Sequence, residues 1–370
     1  MAGKKTTQTP TARGYRMPAE WEPHAATWLS WPRREGISFP GAGVYDRVMP
    51  AFAKMVTALA DSEPVNINVC DAAHEADVKK VLMRNNAKTA HVTFHHIPIN
   101  EPWCRDHGPI FVVKAKEKKP LILDWGYNAW GFKYPPFDDD DYVPTAIAEA
   151  LKLPVEYPGI ILEGGSIDVN GEGLLMTSKS CLLNPNRNPD LSQKEIEKCL
   201  KDNLGVKEVL WLGDGIEGDD TDGHIDDIAR FVSADTIVAA YEENEEDPNF
   251  EPLKENFDYL SGLTAAAVAD KDADEDEDGD CGPIPRFQVI KLPMPRKIVR
   301  DGQRLPASYA NFYIANKVVL LPVFADTNDK WAAAILQKEF PERTIVPIDS
   351  RELIWGLGAF HCLTQQQPAV

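Results

Sequence analysis

The sequence predicts an α/β fold assembled from about five small modules arranged around an axis. Amphipathic helical stretches alternate with short β-branched runs along most of the chain. Several of these runs lead into a polar motif and then a β-hairpin, and the order strand, polar motif, hairpin, helix returns about five times. A module of that size cannot bury its apolar face alone, so neighbours must stack on one another. The polar motifs then fall at the same end of their strands and converge centrally. An ordinary α/β sheet with scattered loops is the competing reading of the pattern.

Helices are expected at Val44–Ala60, Ala72–Arg84, Pro144–Leu151, Ser192–Leu204, Pro252–Val268 and Lys330–Glu339, where apolar residues return every three to four positions. Ser192 with Glu195 forms a capping box that opens the fourth. Strands are expected at Val65–Val69, His91–Ile97, Glu208–Leu212, Phe287–Leu292 and Thr344–Ile348. The hairpins follow the motifs. Arg105-Asp106-His107-Gly108-Pro109 precedes Ile110–Val113 and Leu121–Trp125, and Glu163-Gly164-Gly165 precedes Ser166–Val169 and Leu174–Thr177. Gly223-His224-Ile225-Asp226 precedes Ile228–Val232 and Thr236–Tyr241, and Ser308-Tyr309-Ala310-Asn311 precedes Phe312–Ile314 and Lys317–Pro322. The fifth motif, Gly358-Ala359-Phe360-His361-Cys362, stands close to the end of the sequence.

The 370 residues are 43% hydrophobic and 9% aromatic, enough to bury a large core. Length alone suggests two domains, although repeat-built folds run this long as one unit. No stretch approaches the roughly 18 uninterrupted apolar residues of a membrane span. The opening MAGKKTTQTPTARGYRMP lacks the apolar run of a secretory signal, while its Thr/Arg content and want of acids leave a transit peptide open. Six cysteines without a CxxC suit a reducing, cytoplasmic compartment. A net charge of −19 disfavours nucleic acid as a partner and is compatible with a cationic small substrate. The block Asp270–Asp280, DKDADEDEDGD, is too acidic to join a core. It imitates the start of a calcium loop but has Pro285 where the closing Glu belongs, so a solvated, mobile insertion is expected.

Chemistry gathers in the motifs. Glu163 ends the apolar run Ile160-Ile161-Leu162 beside two glycines that let other groups approach, a placement suited to a ligand. Asp106 beside Arg105 reads equally as half of a structural ion pair. His224 and Asp226 are two apart and share a face of an extended strand, as a metal site, an acid/base pair or a buried polar pair. No HxxxH or CxxC supplies further ligands, which argues against a metal. Cys362 follows Gly356 and Gly358 and precedes Thr364-Gln365-Gln366. A single Cys with a His and carboxylates elsewhere outlines thiol catalysis, a papain-like protease being one version. Carboxylates aimed at a thiolate oppose it unless the substrate is positive. A guanidinium is planar and permanently charged, and its donor fork suits Asp106 and Asp226. Such a bound cation also lowers a thiol's pKa.

The motifs MPAEWEPH (17–24), WCRDHGP (103–109), NAWG (128–131), EGGSIDVNGEG (163–173), NRNP (186–189), GDDTDGHIDD (218–227), ASYANFYIAN (307–316) and FHCLTQQQP (360–368) resemble those of agmatine deiminases, within the wider group that includes bacterial peptidylarginine deiminase. The resemblance runs from about residue 15 to the end. It implies the five-bladed α/β-propeller of guanidine-modifying enzymes (the pentein fold) as one catalytic domain over 15–370, after a flexible tail at 1–14. It also implies a cytoplasmic homo-oligomer, a dimer, with no cofactor and no metal, serving putrescine and polyamine biosynthesis. By motif, Cys362 is the nucleophile and His224 the general acid/base; Asp106 and Asp226 hold the guanidinium, and Glu163 orients His224. Trp103 and Asp220 are placed for the aliphatic chain and distal amine of agmatine.

Three features depart from the family pattern: Leu357 interrupts a glycine run, 270–280 is extra, and Cys104 adds a thiol near the site. The activity implied is hydrolysis of agmatine to N-carbamoylputrescine and ammonia through a thiouronium on Cys362. The alternatives are a deiminase of peptidyl or free arginine, an amidinotransferase, and a catalytically dead propeller that binds polyamines.

Overall fold

In the computed structural model, which describes residues 8–39, 43–269 and 287–370, four hairpins each continue into a helix and a third strand. Ile110–Val112 pairs antiparallel with Leu121–Leu123, which pairs parallel with Val155–Glu156. The same rule joins Ile167–Val169, Leu174–Ser178 and Glu208–Leu212. It holds again for Ala229–Phe231, Thr236–Tyr241 and Gln288–Pro293, and for Tyr313–Ile314, Val318–Val323 and Thr344–Asp349. A parallel pair needs a long crossover, and the helices Asp138–Leu151, Gln193–Leu204, Phe250–Ala269 and Asp329–Glu339 provide it. The middle strands are deeply buried: all of Leu174–Ser178, and all but the last residue of Val318–Val323 and of Thr236–Tyr241, as expected of strands covered on both faces.

The fifth module is completed by the two ends of the chain. Thr364–Pro368, directly after Cys362, pairs antiparallel with His24–Ser30, which pairs parallel with Val65–Val69 and through it with Val92–His96. Neither His24–Ser30 nor Thr364–Pro368 is among the strands expected from sequence. TQQQP carries no apolar alternation, and its side chains are buried through polar contacts instead. Gln366 Oε1 accepts from Arg105 Nη1 (2.7 Å) and Gln365 Nε2 donates to the Pro109 carbonyl (2.7 Å). A further hairpin, Ile298–Arg300 with Gln303–Leu305, also went unpredicted.

Helix bounds follow local chemistry. The capping box at Ser192 and Glu195 is present. The helix expected from Pro144 begins a turn and a half earlier, at Asp138. Four aspartates occupy its first turn, where the helix dipole favours negative charge. Asp140 accepts from the backbone N–H of Asn100 (2.7 Å) and Asp141 from that of Tyr127 (2.7 Å), so this turn fixes both loops that lead to the site. Helix Val44–Ala60 buries Val48, Phe52, Met55 and Leu59 against Ile67 and Leu320, each burial being worth about 1.5–3 kcal/mol.

The expected tail divides. Residues 8–14 carry a single 3-10 turn at Thr11–Arg13. Thr11 Oγ1 donates to the Lys201 carbonyl (2.6 Å) and Arg13 reaches Glu156 (2.6 Å), so this part is anchored. Residues 1–7, like the acidic stretch 270–280, lie outside the described residues.

Candidate active site

Four of the five polar motifs form a single helical turn before the strand that follows: Cys104–His107, Gly164–Ser166, Ile225–Asp227 and Phe360–Leu363. A one-turn helix is too short to satisfy its own backbone, so its polar side chains and N–H groups seek partners across the modules. Gly165 shows how tightly they meet. A Cβ there would stand 2.6 Å from Asp106 Oδ1, 2.6 Å from His224 Nδ1 and 3.2 Å from Asp226 Oδ2. Only glycine lets these three groups surround one backbone point, and its N–H donates to Asp106 Oδ1 (3.0 Å).

Cys362 is buried beside this cluster. Its thiol donates to Asp226 Oδ2 (3.5 Å), and its sulfur accepts from Asn311 Nδ2 (3.1 Å). Burial, then Asp226, Asp227 and Asp106, push this thiol well above its ordinary range, against the Asn311 donor. Burial opposes a charged His224, yet Asp106, Cys181 and Asp226 outweigh it and raise the imidazole well above its usual value. His224 Nδ1 lies 3.6 Å from Asp106 Oδ1. Asp106 itself is pushed up to about 6 by burial, with His224 countering and Asp226 and Glu163 adding. Its other oxygen accepts from Trp130 Nε1 (3.0 Å). Asp226 is held low in spite of burial, because His361 Nδ1 donates to its Oδ2 (2.6 Å). His361 Nε2 in turn lies 2.8 Å from Glu20 Oε2, and Arg105 and Arg230 also reach Glu20.

Glu163 is completely buried and pairs with Arg187 Nε (2.6 Å). Among the described residues no hydrogen bond joins it to His224, whose ring nitrogens have no partner beyond the facing Cys181 thiol, and Glu163 Oε2 is unpartnered. The orientation of His224 expected of Glu163 is therefore not made by a direct hydrogen bond. The carboxylate, His224 and Cys181 nonetheless bring ligand-type atoms within 4.8 Å of one another. No HxxxH or CxxC spacing marks this trio, because its members come from three separate segments.

A cavity of about 120 Å³ opens beside Cys362 and Asp106, walled by Trp103, Trp130 and Trp355 and edged by Asp220. Trp103 is fixed by its indole N–H to Ser38 Oγ (2.9 Å). Asp220 accepts from the Tyr134 hydroxyl, and Lys133 Nζ lies 3.6 Å from its carboxylate. Apolar walls with an acidic far edge suit a flexible chain that carries positive charge at both ends. Leu357 also lines the cavity, in the left-handed region at φ +70°. Cys104 is buried, with its thiol pushed up to about 12 by burial, and it does not line the cavity as Cys362 does.

Sequence reasoning named no role for Asn311, Asp227, Arg187, Trp130, His361 or Glu20. Asn311, His361 and Asp227 stood inside motifs already recognised, and Arg187, Trp130 and Glu20 inside the quoted NRNP, NAWG and MPAEWEPH segments. What sequence could not provide was which of them would meet.

A model of the Porphyromonas-type peptidyl-arginine deiminase family matches residues 16–368. Agmatine deiminase of Pseudomonas aeruginosa (strain LESB58) is 38% identical over 387 residues, covering 98% of each chain. Among solved structures, agmatine deiminase of Enterococcus faecalis superposes with a TM-score of 0.87 at 32% identity over 100% of both chains. A C. jejuni agmatine deiminase with substrate bound gives a TM-score of 0.83 at 29% identity, over 95% of this chain and 96% of that one.

Proposed function

Because the chain belongs to the Porphyromonas-type peptidyl-arginine deiminase family, we propose that it hydrolyses the guanidinium of agmatine, giving N-carbamoylputrescine and ammonia. One observation carries this reading: Asp106, Asp226 and His224 surround a single point beside the sulfur of Cys362. Carboxylates that hold an empty-site thiol neutral become assets once a cation sits between them, since the cation offsets their charge and favours the thiolate. A cation recognised by paired carboxylates, with a chain running past Trp103 towards Asp220, is a guanidinium on an aliphatic amine. Agmatine has that form. Free arginine would bring a carboxylate to the acidic edge.

The reaction proceeds in two halves. With the guanidinium held by Asp106 and Asp226, the Cys362 thiolate adds to its central carbon. His224, protonated by virtue of its carboxylate neighbours, gives its proton to the departing nitrogen, the C–N bond breaks, and ammonia leaves a thiouronium on sulfur. Neutral His224 then takes a proton from water, hydroxide adds to the same carbon, and the C–S bond breaks to return the thiolate, while the hydroxyl proton passes to solvent and leaves the neutral substituted urea. Positioned proton transfer of this kind contributes about 10²–10⁴-fold. Glu163, fixed by Arg187, supports the positive His224 through space.

We read the five sheets as blades of an α/β-propeller forming one catalytic domain over 15–370, since the same strand order recurs and the chain ends share the fifth sheet. The five cysteines among the described residues are free, which suits a reducing cytoplasm. Among the described residues no helix is long and apolar enough to cross a membrane. A homodimer is the assembly we propose.

Ammonia release from agmatine, arginine and a blocked arginine peptide tests the substrate, with agmatine expected to exceed both by orders of magnitude. Comparable turnover of the peptide would overturn it. Mass spectrometry of quenched turnover should find the amidino adduct on Cys362 and none on Cys362→Ser.

A further inference from the structure

Cys181 has no part in the reaction above, yet it faces the acid/base histidine. It sits in the one-turn helix Lys179–Leu182, capped when its own N–H donates to Ser178 Oγ (3.2 Å). From there its sulfur, a ring nitrogen of His224 and a carboxylate oxygen of Glu163 lie within 4.8 Å of one another, and all three residues are buried. Among the described residues Glu163 Oε2 has no hydrogen-bond partner, while Glu163 Oε1 is already engaged by Arg187, and the His224 ring nitrogens have none beyond the facing Cys181 thiol. Buried polar atoms without partners are costly and rare, and here they converge. Asp106, 3.6 Å from His224, adds negative potential from the cavity side.

Thiolate, imidazole and one carboxylate oxygen form the donor set of a zinc-type ion, and magnesium or calcium would want oxygen alone. We infer that when no guanidinium occupies the site, Cys181, His224 and Glu163 bind a soft divalent cation of the zinc class, and that this cation inhibits the enzyme. Binding exchanges water on the cation for the three ligands and releases the Cys181 proton to solvent, with no change of oxidation state. It engages the imidazole lone pair, so the inhibitory consequence rests on the proposed role of His224, while the ligand set does not.

Cobalt(II) is the probe, because a Co–thiolate bond absorbs in the near ultraviolet. Full-length protein carrying Cys362→Ser, which removes the rival thiol, should show this band on titration with cobalt chloride. Adding Cys181→Ser or Cys181→Ala should abolish it while circular dichroism stays native. With Cys362 intact, zinc should inhibit agmatine hydrolysis, agmatine should protect, and Cys181→Ser should raise the half-inhibitory zinc concentration at least tenfold relative to its own uninhibited rate. No band in Cys362→Ser, or a band that survives loss of Cys181 in folded protein, overturns the site. A Cys181-dependent band without inhibition supports the site and counts instead against His224 as the acid/base.

Discussion

Asn311 holds Cys362 from two sides: its Nδ2 donates to the sulfur (3.1 Å), and its Oδ1 accepts from the backbone N–H groups of Ala359 (3.1 Å) and Cys362 (3.3 Å). One amide thus sets the position of the Cys362 loop and offers a favourable dipole to a sulfur otherwise faced by Asp226, Asp227 and Asp106. A hydrogen bond to a charged group is worth about 1.5–3 kcal/mol. Asn311→Ala should therefore lower kcat/KM for agmatine about 10–100-fold and move the pH dependence of Cys362 alkylation upward. Asn311→Asp, which replaces the donor with another acid, should do worse. An alkylation profile unchanged in Asn311→Ala would remove Asn311 from this role.

Arg187 is the counter-charge of Glu163. It also donates to Asp222 Oδ2 (2.7 Å) and to the Thr221 carbonyl (2.9 Å), tying the loop beside Asp220 to the interior. Removing one partner of a fully buried pair strands the other charge, at a cost of about 3–5 kcal/mol. Urea unfolding of Arg187→Met should show a loss of that size. Glu163→Gln/Arg187→Met should recover part of it, with a coupling energy above about 0.5 kcal/mol, and remain inactive. Strictly additive losses would mean that the pair is not a unit.

Leu357 occupies a backbone conformation that glycine adopts freely, at φ +70° and ψ 18°. The left-handed region costs an ordinary residue about 1–2 kcal/mol, here offset by packing of the side chain against the Tyr309 and Phe312 cluster. Leu357→Gly trades that packing for relief of strain, and its unfolding free energy should stay within about 1 kcal/mol of the parent. Leu357→Val, β-branched at positive φ, should lose more than Leu357→Gly. The reverse order in thermal denaturation would contradict this backbone argument.

Much of this architecture was legible in the sequence. The helices followed from a 3.6-residue period, and the middle strands of the sheets from continuous apolar runs such as VVLLPV. The sheet closing the fifth module was not legible, because TQQQP is buried by hydrogen bonds to Arg105 and Pro109 instead of by apolar contact. The early start of Asp138–Leu151 was missed for a related reason: its first turn is held by acids bonding to distant backbone, not by periodicity. Within the site, each residue type could be picked from its motif. The pairing of Glu163 with Arg187 instead of His224, and the approach of Cys181, depend on packing between modules and have no local signal.

Burial depresses His107 to about 3 from 6.5. Its ring nitrogens have no side-chain hydrogen bond, and Asp140, 4.0 Å away, is itself pushed up by burial and accepts backbone N–H groups instead. Above pH 6.5 both folded and unfolded chains carry a neutral imidazole, and the group contributes no slope. As pH falls from 6.5 towards 3, the unfolded chain takes up a proton that the folded one refuses, so stability drops by up to about 1.4 kcal/mol per pH unit. Urea midpoints measured between pH 7 and 4 should fall, and His107→Gln should flatten that fall. An equal slope in the variant would place the acid sensitivity elsewhere.

Asp220 lines the same cavity as Trp103 and Trp130, and the proposed function gives it the distal amine of the substrate. Its carboxylate is about one-third exposed and shares Lys133 with Asp222, which Lys133 approaches more closely (2.9 Å against 3.6 Å). That sharing leaves negative charge on Asp220 available to an incoming ammonium, while the Tyr134 hydroxyl fixes its orientation. A contact to the distal amine is remote from the reacting carbon and is the same in ground and transition states, so under this proposal its loss should appear in KM with little change in kcat. Asp220→Asn should raise KM for agmatine roughly tenfold, as expected of a partly exposed ion pair worth about 1 kcal/mol or slightly more. The same change removes the repulsion of arginine's carboxylate, so the preference for agmatine over arginine should narrow. If kcat collapses with KM unchanged, Asp220 belongs to the chemistry at the guanidinium and not to recognition of the distal amine.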